Sequence, residues 1–329
     1  MAAQLAEIAA EVGVSVPTVS KVLNARPDVS AATRKRVTAA LLKHGLTIRP
    51  RARSSTGLLD VRIVNLDGAW AETVVRGAAA SAQRHGKDLV LTVDPDPDDC
   101  DGWARRAMAR GTDGLVSFVA VPSEDARNDL ADSGVPLVVV DPLHRAPDGT
   151  TSISATNFQG AFDATSHLLS LGHRRVAAIT GPLHQDNAIA RFAGFQAAML
   201  QAGQQVDPAL VDRSGYGITN GYDATRAMLD GGTRPTAIFA ASDDSALGAI
   251  RAIREHGLHV PEDISVIGFD DLPHSQWTDP PLTTIRQPLA QMGDVAVELL
   301  LRLRAGLAVA PHTELSTSLV VRSSTAPPA

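Results

Sequence analysis

Apolar residues recur at helical spacing in three short stretches at the front of the chain, and in short β-branched runs behind them. LAEIAAEVG puts Leu5, Ile8, Ala9 and Val12 on one face and stops at Gly13, a residue that can take the left-handed backbone closing a helix. Ser15 then reads as an N-cap, Pro17 is tolerated in a first turn, and Val19, Val22 and Leu23 form the buried stripe of a second helix. A third helix starts after Ser30, with Val37, Ala40, Leu41 and His44 at helical spacing. Two helices joined by so short a turn make a helix-turn-helix unit.

From Leu58 onward the period changes. The runs VRIVNL, DLVLTV, GLVSFV, PLVVV, RRVAAIT, TAIFA and ISVIGF alternate with helical patterns at Trp70–His85, Phe158–Leu171, Ala188–Ala202, Gly221–Leu229, Ser245–His256 and Pro288–Arg304. Strands alternating with helices predict parallel sheets covered on both faces, with ligands bound at the carboxyl ends of the strands. There are more such units than one sheet holds comfortably, so the pattern predicts two lobes with a cleft between them.

Charge separates the two regions. Residues 1–57 hold nine Lys/Arg against three acids, whereas the chain as a whole carries a net charge of -6, so a basic module precedes a strongly acidic body. This is the footprint of a nucleic-acid reader joined to something else; a solvated basic tail is the alternative on charge alone. The second helix of a helix-turn-helix presents its front to the major groove. Val16 can touch a thymine methyl, Thr18 or Ser20 can bond phosphate or base, and Lys21 can donate to guanine; alternatively the hydroxyls are only solvated and Lys21 meets only phosphate. The remaining composition, 44% hydrophobic and 20% charged, is that of an ordinary globular protein. A single cysteine, Cys100, cannot form an internal disulfide, and neither a secretory leader nor a run of about 18 apolar residues is present, so a cytoplasmic protein without membrane contact is expected.

EIAAEVGVSVPTVSKVLNARPDVSAATRKRV resembles the N-terminal headpiece of the LacI/GalR family of bacterial transcription factors. The resemblance implies DNA contacts from Ser15, Val16, Pro17, Thr18, Ser20, Lys21 and Asn24, with Val16-Pro17 as the dipeptide that selects the operator. It also implies a hinge helix ending in Arg-Ser-Leu, whose leucine wedges into the minor groove. Here Arg53-Ser54 is followed by Ser55, and Pro50 and Gly57 leave little room for a helix, so the wedge is missing. Arg49, Arg51 and Arg53 still suit phosphates or a narrow minor groove, or form a flexible basic linker.

The likeness continues through DPLHRAPDGTTSISATNFQGAFDATSHLLSLGHRRVAAITGP, RFAGFQAAML, ISVIGFDD and DPPLTTIRQPLAQMGDVAVELL. It implies an all-α helix-turn-helix headpiece (1–48), a basic linker (49–57) and a two-lobed α/β effector and dimerisation domain (58–329) similar to periplasmic binding proteins. That domain would have two parallel sheets and three crossovers, near Ala155–Asn157, Thr283–Pro288 and residues 308–314. Lobe 1 would take about 58–156 and 286–310, and lobe 2 about 157–285 and 311–329. Motif by motif, the resemblance makes Trp70, Arg191, Tyr216, Ser242, Asp243 and Asp270 effector candidates: Arg191 as a guanidinium fork for vicinal hydroxyls, Asp270 as an acceptor, and the rings as stacking surfaces. Ser242 stands where the family usually has Asn, which points to a ligand other than that of a galactoside sensor or to a water bridging the gap. Read without the resemblance, Asp243 and Asp270 are equally helix caps, Arg191 an ion-pair partner and Trp70 a core ring.

DPDPDDCDG superficially suggests a calcium loop but has Asp99 where the glycine belongs and Arg105 where the glutamate belongs. No HExxH, paired CxxC, GxSxG or GxxxxGK[ST] occurs, so no catalytic centre, metal or cofactor is expected. The expectation is therefore a dimeric repressor of carbohydrate-use genes, released from a pseudo-palindromic operator by a mono- or oligosaccharide. A purine-responsive regulator of the same fold, or a sugar-binding protein without DNA, is the alternative.

Overall fold

The computed structural model describes residues 2–23, 29–44, 55–66, 68–94 and 99–329. Asn24, Arg49, Arg51 and Arg53, and most of the linker, lie outside the described residues.

At the front, α1 (Ala2–Val12), α2 (Val16–Leu23) and α3 (Ala31–Lys43) pack around Ile8, Val19, Val22, Val37 and Leu41, all fully buried. Ser15 accepts from the Thr18 backbone N–H at 3.3 Å and Ser30 from that of Thr33 at 3.3 Å, which are the two caps the sequence predicts. Glu11 on α1 ties the far end of α3 to the bundle, pairing with Lys43 Nζ and His44 Nε2 at 2.7 Å each.

The body has two sheets. The first orders its strands β11-β5-β4-β3-β1-β2 and consists of β1 (Leu58–Ile63), β2 (Asp88–Val93), β3 (Gly114–Phe118), β4 (Leu137–Val140), β5 (Thr151–Ala155) and β11 (His312–Leu315), all paired in parallel. One face is covered by α4 (Ala69–Arg84) and α11 (Leu289–Arg304), the other by α5 (Cys100–Arg110) and α6 (Glu124–Asp132), with Trp103 fully buried beneath them. The two helices of the first pair touch backbone to backbone, and a Cβ at Gly77 or Gly293 would collide with the opposite main chain.

The second sheet runs β12-β10-β9-β8-β6-β7, from β6 (Val176–Ile179), β7 (Val211–Asp212), β8 (Ala237–Ala240), β9 (Ser265–Asp270), β10 (Thr283–Arg286) and β12 (Ser318–Val320). Helices α7 (Asn157–Ser170) and α8 (Asp186–Gln201) pack on one face, and α9 (Ile218–Asp230) and α10 (Asp243–Glu255) on the other. This sheet is not wholly parallel: β12 runs antiparallel to β10, because the chain turns back into lobe 2 as an edge strand.

The chain passes between the sheets three times: after Ala155, after Arg286, and between Leu315 and Ser318. The third passage lies beyond the expected 308–314, because residues 312–315 first add to lobe 1 by pairing with Ser152–Ala155. Strands β5, β7 and β10–β12, and helices α5 and α6, are additions to the elements the pattern predicts. The strands are two to five residues long, and α5 and α6 are rich in charge.

Candidate functional site

In both sheets the carboxyl ends of the strands meet at the interface between the lobes. The backbone there is unusual. Val119, Asp141, Asp270 and Asp271 are the non-glycine residues with positive φ among the described residues, at 59°, 49°, 117° and 57°, and each ends or follows β3, β4 or β9. Left-handed backbone at non-glycine residues is costly, and a cluster of it at strand ends marks a place where side chains are aimed for a purpose.

Arg191, on α8, stands at the centre and is buried. Its Nε donates to Asn157 Oδ1 at 2.8 Å and its Nη1 to the Ala241 carbonyl at 2.5 Å, while its guanidinium carbon lies 3.9 Å from the Phe269 ring centroid and 5.5 Å from that of Tyr216. Arg191 Nη1 is 3.7 Å from Asp270 Oδ1, a buried oxygen without a hydrogen-bond partner among the described residues. Across the lobe boundary, Asp141 Oδ2 faces Asn187 Nδ2 at 3.5 Å, and Tyr216 donates to Asn187 Oδ1 at 3.1 Å. A Cβ at Gly181 would overlap the Tyr216 ring, so the glycine makes room for it.

Burial dominates the ionisation of these groups. It pushes the Asp141 and Asp270 carboxyls upward against the opposing pull of Arg191, and raises the Tyr216 hydroxyl to about 12. Carboxyls held toward their neutral forms donate as well as accept, so beside the Arg191 fork they suit hydroxyl groups.

Trp70, at the start of α4, is half-buried. Its Nε1 donates to Gln287 Oε1 at 3.2 Å and its ring meets Phe118 edge-on at 6.1 Å. Gln287 Nε2 is buried without a partner among the described residues, a donor aimed at the same interface. Ser242 and Asp243 are turned elsewhere. Ser242 caps α10, accepting from the Ser245 N–H at 3.0 Å and donating to the Tyr216 carbonyl at 2.6 Å. Asp243, pushed up to about 7 by burial, takes the Leu272 N–H at 2.7 Å and the Thr284 hydroxyl at 2.5 Å, which shapes the 270–272 turn. Arg191, Asp270 and Tyr216 thus come together, Trp70 joins them through Gln287, and Ser242 and Asp243 form a supporting layer. Asn157, Asn187, Asp141 and Gln287 are missing from the sequence reading; the run of β-branched residues before Asp141 was the available signal for a polar strand end.

In the front module, Val16 is 40% exposed at the start of α2, with Pro17 and Lys21 also on the exposed side and Thr18 and Ser20 half-buried. Ser15 and Thr18 share a 2.8 Å hydroxyl contact. Among the described residues no cluster of metal-ligating side chains occurs and no helix is long and apolar enough to cross a membrane.

Residues 4–47 match the family described as bacterial regulatory proteins, lacI family, and residues 165–325 match the periplasmic binding protein-like domain. The chain is 37% identical to the HTH-type transcriptional regulator MalR of Streptomyces coelicolor, over 99% of this chain and 97% of that protein. Among solved structures it is similar to a complex of the transcriptional regulator CelR with cellobiose, at 30% identity with a TM-score of 0.75, covering 97% of this chain and 99% of that one. It is also similar to the lac repressor dimer bound to operator and the anti-inducer ONPF, at 32% identity with a TM-score of 0.73, covering 97% and 98%.

Proposed function

The chain belongs to the lacI family of bacterial regulatory proteins, and from that premise we propose that it represses carbohydrate-use genes until a neutral sugar enters the cleft between its lobes. It is a DNA-binding transcriptional regulator and not an enzyme, and as a homodimer it sets two headpieces on the half-sites of an operator. The division into headpiece (1–48), linker (49–57) and effector domain (58–329), and a cytoplasmic location beside the operator, form part of the same reading.

The observation that carries the sugar reading is the buried Arg191 fork 3.7 Å from Asp270 Oδ1, with that oxygen and Gln287 Nε2 both buried at the same interface without a hydrogen-bond partner among the described residues. Such a site accepts from and donates to hydroxyls. Sugars in the complexes of similar proteins, cellobiose among them, agree with it. A sugar contacting Asp141 and Gln287 on one side and Arg191 and Asp270 on the other favours one lobe arrangement by its differential contacts, and the coupling to DNA is reciprocal. Melting of the full-length protein is expected to rise with one saccharide from a panel of saccharides and nucleobases. At 100 times its dissociation constant the ligand adds about 2.7 kcal/mol of stability. The same saccharide should release the operator. A shift with a purine and none with any sugar would overturn the reading.

On the DNA side, Lys21 is proposed to meet a phosphate beside the groove that Val16 and Pro17 face. Lys21→Ala should lower operator affinity about tenfold and make the plot of log affinity against log salt shallower by about one. A steep, unchanged slope accompanied by lost discrimination between operator sequences would put Lys21 on a base instead.

A further inference from the structure

A second cavity adjoins the cleft on the side of the crossovers. Its floor is the polar face of β5 and β11, where Ser152 and Ser154 point the same way and His312 spans them, with Nδ1 2.9 Å from one hydroxyl and Nε2 3.1 Å from the other. The loop 142–150 borders it on the lobe 1 side, and Phe158, Asp186 and Asn187 come in from lobe 2. The volume, about 490 Å³, is within the usual range of about 300–1,000 Å³ for small-molecule sites.

Three features give its chemistry. Its floor alternates hydroxyl and imidazole groups that both donate and accept. Phe158 is 45% exposed at its edge and is backed by Phe162, the two rings stacked at 6.4 Å, so a flat apolar surface stands beside the polar floor. Arg145 is outnumbered by Asp148, Asp186 and Glu314, which sets the cavity against anions such as sugar phosphates. An aromatic face beside hydroxyl-matching groups, without net positive charge, is a surface for the C–H face and the hydroxyls of a neutral pyranose.

The cavity also shares walls with the cleft. Asn157 lines it and accepts from Arg191, and Asp141 and Asn187 line it from opposite lobes and face one another at 3.5 Å. The backbone N–H of Asp186 donates to the Leu143 carbonyl at 2.8 Å across the same boundary. An occupant therefore touches both lobes at the point where they meet, and depends on their relative position.

We propose that this crossover-side cavity, floored by Ser152, Ser154 and His312 and edged by Phe158, is a second saccharide subsite. It would take either the outer units of an oligosaccharide held in the cleft or a separate sugar molecule. The inference rests on the sugar reading of the cleft. Calorimetric titration of the full-length protein with cello- and malto-oligosaccharides of two to four units tests it, alongside Phe158→Ala and the cavity-filling Ser154→Trp.

If the cavity takes outer units, one equivalent binds and the tetrasaccharide binds about tenfold more tightly than the disaccharide. Phe158→Ala then abolishes that gain and leaves the disaccharide affinity as it was. If it takes a separate sugar, two equivalents of disaccharide bind, and one disappears in each variant. A single equivalent with no dependence on length, unaltered by Phe158→Ala, would overturn the subsite while leaving the cleft reading intact. Absence of binding by every saccharide would overturn both. Phe158 is 45% exposed and lies outside the buried core, so its variant remains informative if Ser154→Trp does not fold.

Discussion

Arg191→Ala is expected to leave a protein that holds its operator and no longer releases it for any sugar. The physical reason is the concentration of roles in one guanidinium. It bridges Asn157, at the first crossover, to the Ala241 carbonyl in lobe 2, lies on the Phe269 ring and supplies the positive charge nearest Asp270. Truncation removes a forked donor from the cleft and deprives two buried carboxyls of their cation. A buried pair broken from one side costs about 3–5 kcal/mol, and the carboxyls can limit that cost by staying protonated, so about 3 kcal/mol is expected.

The pH dependence has a definite sign. Asp141 and Asp270 hold their protons more tightly folded than unfolded, so their contribution to stability falls as pH rises from about 4 through their raised folded values. Without Arg191 both values climb further, and the decline with pH becomes larger. Melting curves from pH 5 to 8 measure this directly. Arg191→Lys restores the charge but not the fork, and should recover stability without recovering the sugar response. A variant Arg191→Ala that is merely less stable, yet still lets go of DNA with wild-type sensitivity to the sugar, would assign Arg191 to structure alone.

The sequence shows some parts of this site better than others, and the difference has a cause. The headpiece is legible because its information is local: the caps Ser15 and Ser30 and the stripe Val19, Val22, Leu23 each act within one turn of helix. The long hydrophobic strands and helices are legible for the same reason. Arg191, Asp270 and Tyr216 were reachable only through likeness to a family, since nothing local distinguishes them from caps or surface charges. Asn157, Asn187 and Gln287 give no local signal, and Asp141 only that of a polar residue ending a β-branched run, because their roles exist only through convergence, as when Trp70 meets Gln287 from 217 positions away. Ser242 and Asp243 illustrate the converse. Their position at a strand end is visible in sequence, but whether a hydroxyl turns to a ligand or back to cap its own helix depends on neighbours such as the Tyr216 carbonyl. Short strands such as β5, TSISA, lack the apolar run that betrays a buried strand, although Ile153 and Ala155 are in the core.

Asp113→Ala is expected to separate sugar binding from DNA release. This carboxylate, whose side chain is 1% exposed, gathers the largest share of the bonds that fasten the end of the linker to lobe 1. It accepts from Ser55 Oγ at 2.5 Å, the Thr56 N–H at 3.1 Å and the Gly57 N–H at 3.2 Å, and pairs with Lys87 at 2.8 Å and Arg304 at 2.9 Å. Arg304 closes α11, which begins beside the crossover carrying Gln287 and runs about 24 Å at 1.5 Å per residue to this point. One rigid helix therefore has its first turn at the cleft and its last on the linker anchor. Removing the carboxylate leaves the cleft untouched while taking three hydrogen bonds from Ser55–Gly57, which keep those of Thr56 Oγ1 to the Gly111 carbonyl, Lys87 to Ser55 Oγ and the Asp88 N–H to the Gly57 carbonyl. Sugar affinity should stay within twofold, and the ratio of operator affinities with and without sugar should fall toward one, erasing a coupling of the usual 1–3 kcal/mol.

Stability supplies an independent readout. The five donors hold the Asp113 carboxyl at about 2 despite its burial, below its ordinary 3.8, so it contributes about 2 kcal/mol that is present above pH 4 and lost as pH falls from about 4 to 2. Asp113→Ala should be destabilised at pH 7 by at least that amount, because Lys87 and Arg304 lose their shared partner, and its acid unfolding should lack the component between pH 4 and 2. Asp113→Asn retains an acceptor for the linker N–H groups but not the charge. If the anchor works through the hydrogen bonds of Thr56 and Gly57, that variant keeps part of the coupling despite its lower stability; if Arg304 is the essential link, it loses as much as Asp113→Ala. Wild-type release of DNA by sugar in both variants would show that the linker takes its signal by another route.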